Sequence, residues 1–237
     1  GKILGTAAVA GAIPINSFLH PKDAREEASV FLLEDKGYID VHVHTRLPSR
    51  INLPGTEASR LPTPLELLVK MVESGISKAV LLPLVSPECR DFFVTSEETL
   101  EICSQFPDRL IPFCNLDPRF ISNSTKANFI PLLTVYKDAG CKGVGEYCPN
   151  IPLDDPLNIN LFKQIEEAGL HLLFHLAPQV GGYYGCYDDV GLPRLENVLK
   201  QCPKLIILGH SQVFWAEIGP INNPAERGGY PKGPILK

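Results

Sequence analysis

The sequence predicts an α/β fold of the (β/α)8-barrel class. Six short, nearly continuous apolar runs recur along the chain, and segments with helix-capping residues lie between them. Such runs are typical of parallel strands that are covered on both faces. Their alternation with helices indicates right-handed βαβ units, which build either an open doubly wound sheet or a barrel. The sequence lacks a glycine-rich dinucleotide-binding turn, and this favours the barrel.

The strands and helices can be placed along the chain in order. The predicted strands are 38–44, 78–85, 110–116, 141–147, 170–176 and 204–210. Helix starts are marked by Thr63-Pro64, by Thr95 with Glu98 as a capping box, and by Asp155-Pro156, and helix stops by Gly75 and Gly169. A capping side chain followed by proline, with glycine after the last turn, is the usual punctuation of a helix.

Composition excludes several classes of protein. The chain has 237 residues, of which 44% are hydrophobic, so it can bury the core of one large domain. A net charge of −5 argues against a nucleic-acid partner, and no apolar run approaches the roughly 20 residues that span a membrane. Seven cysteines without a Cys-x-x-Cys spacing indicate buried thiols, not a disulfide framework or a zinc knuckle.

The N-terminal segment is treated separately from the barrel. Residues 3–15 are apolar and rich in small side chains, and Ala10-Gly11-Ala12 fits a small-x-small cleavage pattern. Residues 1–36 are therefore either the remnant of an export signal, which implies a periplasmic or exported protein, or an N-terminal arm of a cytoplasmic one. We assign residues 37–237 to the barrel domain.

Four of the six histidines lie at the C-terminal ends of predicted strands, where barrel enzymes gather their catalytic groups. His42 and His44 share one face of the first strand because side chains alternate with a period of two. The same counting turns His175 and His210 inward, and Glu146, two positions past Val144, reaches the corresponding height. The predicted metal ligands are His42, His44, Glu146, His175 and His210.

Three further polar residues, His171, His20 and Asp40, are not assigned as metal ligands. His171 shares the face of His175 but lies four residues lower, roughly 13 Å at ~3.3 Å per residue, so we exclude it. His20 lies in the N-terminal segment. Asp40 is either an acceptor for an imidazole N–H or an ordinary polar residue at a strand start.

The motifs DVHVH, GVGEY, LLFH and LGHS, in this order, resemble the amidohydrolase superfamily, and specifically its amidohydrolase-related branch of metal-dependent hydrolases. The carboxylate on the fourth strand is also similar to that of TatD-type deoxyribonucleases. The resemblance implies a barrel in which the first histidine pair holds one divalent ion, and His175 and His210 hold a second or assist the first. Glu146 and His210 are assigned as catalytic.

The family's aspartate at the end of the eighth strand has no counterpart here. Since about six strands can be placed and eight close such a barrel, we expect an incomplete barrel. We expect the natural polypeptide to continue for roughly 60–80 residues, or another chain to supply the missing strands.

A divalent ion in this site would activate a water for hydrolysis of an amide, ester or lactone bond in a small carboxylate-bearing substrate. Zinc is the first expectation, with manganese or iron as alternatives because of Glu146. The open alternatives are metal-dependent non-oxidative decarboxylation and a metal-binding barrel fragment without turnover. Substrate identity and oligomeric state, including a homo-oligomer, stay open.

Substrate contacts are predicted in the loops above the strands. Arg46 and Arg119 could each bind a substrate carboxylate, or form salt bridges within the loops. Phe214 and Trp215 are predicted to form an apolar wall. The proline-rich segment 47–62 is expected to fold over the mouth of the barrel.

Overall fold

The computed structural model describes residues 37–48, 61–88, 92–219, 221 and 226–227. The predicted N-terminal segment 1–36, which includes His20, lies outside the described residues, as does most of the predicted lid, 47–62. Within the described part, no helix is long and apolar enough to cross a membrane.

All six predicted strands are present, and the structure adds one short strand. The strands are β1 Tyr38–Val43, β2 Ile76–Leu81, β3 Leu110–Pro112, β4 Gly143–Tyr147, β5 His171–Ala177, β6 Cys186–Tyr187 and β7 Ile207–His210. The helices are α1 Pro64–Glu73, α2 Ser96–Gln105, α3 Ile130–Asp138, α4 Pro156–Ala168, α5 Pro193–Gln201 and α6 Gln212–Ala216. The strand that sequence reasoning missed is β6, which has two residues.

The strands form one curved parallel wall. β1, β2 and β3 pair in that order, and β5 pairs with both β4 and β7. The two sheets join between β3 and β4, where the N–H of Cys114 donates to Gly143 and the N–H of Gly145 donates to Cys114, each at 2.9 Å. This parallel order, with helices between the strands, confirms the predicted α/β class.

Local sequence signals determine where the helices begin. Thr63 caps α1 in a reciprocal capping box with Glu66, and Asp155 caps α4 by accepting from the N–H of Leu157. Thr95 caps α2 as predicted, but the Glu98 side chain accepts from the N–H of Leu47 at 2.7 Å. The Glu98 half of that predicted capping box is therefore replaced by a contact that ties α2 to the loop after β1.

The core has an inner and an outer layer. The inner layer consists of Val80, Leu82, Phe113 and Leu173, with Ile111 and Leu208 packed against it. Leu173 and Leu208 each precede a strand-end histidine by two residues, so this layer lies directly below the histidines. The outer layer packs the helices on the sheet and includes Val144, Tyr147, Phe162, Leu172 and Phe174. Adjacent residues of β5 thus alternate between the two layers, as the predicted inward direction of His175 requires.

The six cysteines in the described part of the chain are free and buried. They are Cys103, Cys114, Cys141, Cys148, Cys186 and Cys202, and Cys89 lies outside the described residues. The prediction of buried thiols is confirmed for these six. Burial raises the pKa of the Cys103 thiol to about 12, so it stays protonated at neutral pH.

Candidate metal centre

The histidine pair of β1 presents lone pairs to a common point. Nδ1 of His44 lies 2.9 Å from the carbonyl oxygen of Leu82, which can only accept, so this nitrogen carries the proton. Nε2 of a neutral His44 is then an acceptor, and it lies 3.0 Å from Nε2 of His42. The contact to Leu82 therefore fixes both the tautomer and the direction of the His44 ring.

An extra residue in β4 turns Glu146 toward these histidines. Val144 pairs with Leu172 and Tyr147 pairs with Phe174, so three steps on β4 match two steps on β5. Such a bulge reverses the alternation of side chains beyond it. Val144 and Tyr147 both face the outer core, while Glu146 faces inward. Period-two counting would place Glu146 on the same outward face as Val144. The bulge turns its side chain inward instead.

The carboxylate of Glu146 lies between two pairs of imidazoles. Its Oε2 is 3.1 Å from Nε2 of His44 and 3.4 Å from Nε2 of His42. Its Oε1 is 2.7 Å from Nδ1 of His175 and 3.6 Å from Nε2 of His210. The structure thus brings together all five predicted ligands, and each oxygen of one carboxylate faces one histidine pair.

The backbone of Glu146 is held as firmly as its side chain. Its carbonyl accepts from Nδ2 of Asn115 at 2.6 Å and from Sγ of Cys148 at 3.0 Å. Asn115 is 2% exposed and also donates to the carbonyl of Pro83 at 3.1 Å. Sequence reasoning missed Asn115, because it lies inside the predicted strand 110–116, whereas the observed β3 ends at Pro112 and leaves Asn115 beyond it.

The environment keeps Glu146 ionised and His210 neutral. Burial by itself raises the pKa of Glu146, but the close contacts with His175, His42 and His44 outweigh it and hold that pKa well below its usual range. Burial, together with the nearby His42, lowers the pKa of His210 to about 4. At neutral pH a carboxylate therefore faces at least one uncharged imidazole.

These donor atoms fit a divalent cation. Nε2 of His44 and Oε2 of Glu146 are both acceptors, 3.1 Å apart, with Nε2 of His42 within 3.4 Å of each. Two such acceptors repel one another unless a proton or a metal ion lies between them. Two groups of ligand atoms, each within 4.8 Å, meet at Glu146: His42 and His44 form one group with it, and His175 and His210 the other. The arrangement can hold one ion, or two that share the carboxylate.

A cavity of about 980 Å³ opens beside His175 and His210. One wall is the loop after β5, which contributes Tyr183 and Tyr184, and the ring of Tyr184 lies 4.4 Å from that of His175. Asn150 holds this loop, since its Nδ2 donates to Gln179 at 3.0 Å and to Gly185 at 2.9 Å. In the sequence this wall is marked only by the glycine- and tyrosine-rich run GGYYG.

The two predicted substrate arginines are engaged elsewhere. Arg119 donates to both carboxylate oxygens of Glu88, at 2.9 and 3.0 Å, and from Nε and Nη2 to Asp117 at 2.7 Å. Of the two roles predicted for Arg119, it therefore takes the salt bridge within the loops and not the substrate contact. Arg46 stacks its guanidinium over the ring of Phe92 at 4.5 Å. Neither arginine is among the described residues that line the cavity.

Phe214 and Trp215 do not form the predicted wall of the cavity. α6 begins directly after β7, and this turn returns Phe214 to the outer core, where its ring meets that of Phe174 at 5.9 Å. Trp215 packs edge-on against Phe214 and is 38% exposed. Gln212 and Val213, the first two residues of the same helix, line the cavity instead.

Asp40 and His171 lie outside the ligand groups. The Asp40 carboxylate accepts from the backbone N–H of His42 at 2.9 Å, so the contact goes to the main chain and not to an imidazole. This favours the reading of Asp40 as a polar strand residue. His171 is the first residue of β5, and the ligand groups found among the described residues do not include it.

Comparison with known proteins supports the fold. No family model matches the chain, and no curated protein matches it. An uncharacterised TIM-barrel protein from Bordetella bronchiseptica aligns with 75% of this chain and 67% of its own, with a TM-score of 0.54 and 16% identity. At this identity the likeness concerns the fold alone, which it confirms as a TIM-barrel type.

Two weaker alignments are to enzymes. A probable 2-pyrone-4,6-dicarboxylic acid hydrolase from Acinetobacter baumannii, solved with citric acid, aligns over 73% of this chain and 69% of its own, with a TM-score of 0.43 and 16% identity. The 5-carboxyvanillate decarboxylase of Sphingomonas paucimobilis aligns over 73% of this chain and 67% of its own, with a TM-score of 0.48 and 16% identity. With these TM-scores, neither alignment adds to the argument from the site.

Proposed function

We propose that this chain is a metal-dependent hydrolase of the amidohydrolase type, acting on an amide, ester or lactone bond of a small carboxylate-bearing substrate. One observation carries the proposal: four imidazoles surround a buried carboxylate, and their possible ligand atoms converge at the C-terminal ends of β1, β4, β5 and β7. In a barrel this is the end at which catalytic groups assemble. The adjoining cavity gives a small substrate access to His175 and His210.

The ligands would be His42, His44 and Glu146 for one ion, and Glu146, His175 and His210 for a second. Imidazole with one carboxylate suits zinc first, and manganese or iron as alternatives. A divalent ion bound there would supply Lewis acidity and lower the pKa of a coordinated water. Contacts already present in the chain orient the ligands for this purpose, above all that of His44 with Leu82.

The protein's own groups divide the remaining work. Glu146 keeps its negative charge and orients both histidine pairs through its two oxygens. With one ion held by His42, His44 and Glu146, His210 keeps a neutral ring beside the cavity and can accept a proton from the attacking water. Tyr183 and Tyr184 form the wall of the cavity next to the place where this proton transfer would occur.

Metal analysis tests the centre itself. We expect purified protein to bind one or two equivalents of zinc or manganese, and His42→Ala and His175→Ala each to deplete the bound metal. His171→Ala is the matched control, because it removes a histidine from the same strand as His175 without touching a ligand group. Unchanged metal content in both test variants would remove the basis of the proposal.

Product analysis then tests the reaction. A panel of small lactones, esters and amides that carry a second carboxylate should be hydrolysed, with activity lost on chelation and restored by zinc or manganese. Release of CO2 in place of hydrolysis would establish the decarboxylase alternative. A metal-loaded protein that turns over neither class would favour a binding role.

A further inference from the structure

Arg227 is a buried cation with an unused hydrogen-bond donor. The residue is 3% exposed, and its Nη1 donates to the carbonyl of Asp188 at 2.7 Å. Its Nε lies 2.7 Å from Oε1 of Glu217, an ion pair that is not aligned for a hydrogen bond. Its Nη2 has no hydrogen-bond partner among the residues that the structure describes. A buried N–H group left in this state is costly, so it calls for an explanation.

The position of Arg227 beside the cavity offers an explanation for its unused donor. Arg227 lines the same cavity as His175 and His210, and the volume of about 980 Å³ lies at the upper end of the range for small-molecule sites. Of the lining residues in the described part of the chain, Arg227 is the one that is cationic at every physiological pH. The other walls offer the amide of Gln212 and the rings of two tyrosines, Tyr183 and Tyr184.

Neighbouring charges do not use up this cation. Glu88 also lines the cavity, but both of its oxygens accept from Arg119, at 2.9 and 3.0 Å. Glu217 balances the charge of Arg227 without taking the Nη2 donor. Arg227, in the wall of the cavity, therefore keeps one charged N–H group that no described residue takes up, and the acid in the same wall, Glu88, is already paired.

We propose that Arg227 is the specificity-determining residue of this cavity, and that its Nη2 binds a carboxylate of the substrate while the scissile bond lies at the imidazole centre. The inference rests on the proposed function and names the group that recognises the substrate's charge. Arginine suits this task because its planar guanidinium donates directionally to carboxylates and never loses its proton. Arg227 takes the role predicted for Arg46 and Arg119, neither of which is among the described residues that line the cavity.

The test measures ligand binding without turnover. The probes are straight-chain dicarboxylates from malonate to adipate, each paired with its half-amide, titrated by calorimetry into the full chain with and without zinc. At the chain length that spans the site, the wild-type protein should bind the dicarboxylate roughly ten- to a hundredfold more tightly than the half-amide. Arg227→Gln should remove this preference. Arg109→Gln should keep it, because Arg109 precedes β3 and donates to the carbonyls of Ser77 and Ile76 away from the cavity.

A second variant guards against misfolding. Arg227→Gln alone leaves Glu217 buried without its counter-charge, so Glu217→Gln/Arg227→Gln is measured beside it as a neutral pair of similar shape. If either variant folds as the wild type does and keeps the preference, or if the wild type shows none at any chain length, the inference is wrong. A clear preference in a protein that hydrolyses nothing would support Arg227 and refute the proposed reaction alone.

Discussion

Gly185→Ala should weaken metal binding through a single clash. Gly185 has a φ of +107°, and a Cβ at this position would lie 2.7 Å from Cδ2 of His175 and 2.9 Å from its carbonyl oxygen. Carbon atoms prefer separations of about 3.5–4.0 Å, so the ring must move by roughly 1 Å. That movement would pull Nδ1 away from Oε1 of Glu146, which it now meets at 2.7 Å. We expect metal affinity to fall roughly 10- to 100-fold, as when a group that orients a ligand is removed.

The same substitution also strains the backbone, and a matched variant separates the two effects. Gly182 has a φ of +76°, but a Cβ there meets nothing within 4 Å. Both alanine variants should lose about 1–3 kcal/mol of unfolding free energy, measured by chemical denaturation. Only Gly185→Ala should lose affinity in a zinc titration against a chelating dye. Equal loss in both variants, or full affinity in Gly185→Ala, would refute the steric reasoning.

Three further outcomes can be measured. The unfolding free energy of the metal-free protein should fall by roughly 3 kcal/mol as pH drops from 6.5 to 4, because His210 takes up its proton near 6.5 when unfolded and near 4 when folded; a flat profile would contradict its buried, neutral state. Thr63→Ala should cost about 1 kcal/mol by removing the cap of α1, and Thr63→Ser should restore it. Asn150→Ala should speed amide exchange in residues 178–185 while leaving metal stoichiometry unchanged; unaltered exchange would show that other contacts hold the loop.

Elements fixed by local signals could be predicted from the sequence. The caps at Thr63 and Asp155 act within one turn, so their residue types suffice to place α1 and α4. The six longer strands follow from runs of apolar residues that need cover on both faces. β6 could not be found in this way, because two residues carry no periodicity and Cys186 pairs only through the end of β5.

The candidate site shows a similar division. Period-two counting was enough to direct His175 and His210 inward, since β5 and β7 pair in regular register up to these residues. It also brought His42 and His44 to the same point, although the register of β1 shifts near its end. The sequence supports Glu146 as a metal ligand less directly, because the bulge that turns its side chain inward leaves no mark in the sequence beyond a glycine. The predicted substrate residues fared worse than the ligands, because side-chain directions in loops and after tight turns depend on packing that the sequence does not display.

The rate at which the Cys148 thiol is alkylated can report how often the end of β4 opens. Its Sγ donates to the carbonyl of Glu146 and is fully buried, so an alkylating reagent reaches it only when the end of β4 opens. The rate at which the peptide that contains Cys148 gains the mass of the reagent therefore measures how often β4, the strand that carries Glu146, opens. An ion held by Glu146 would slow this alkylation, so the change in rate would report occupancy of the metal centre.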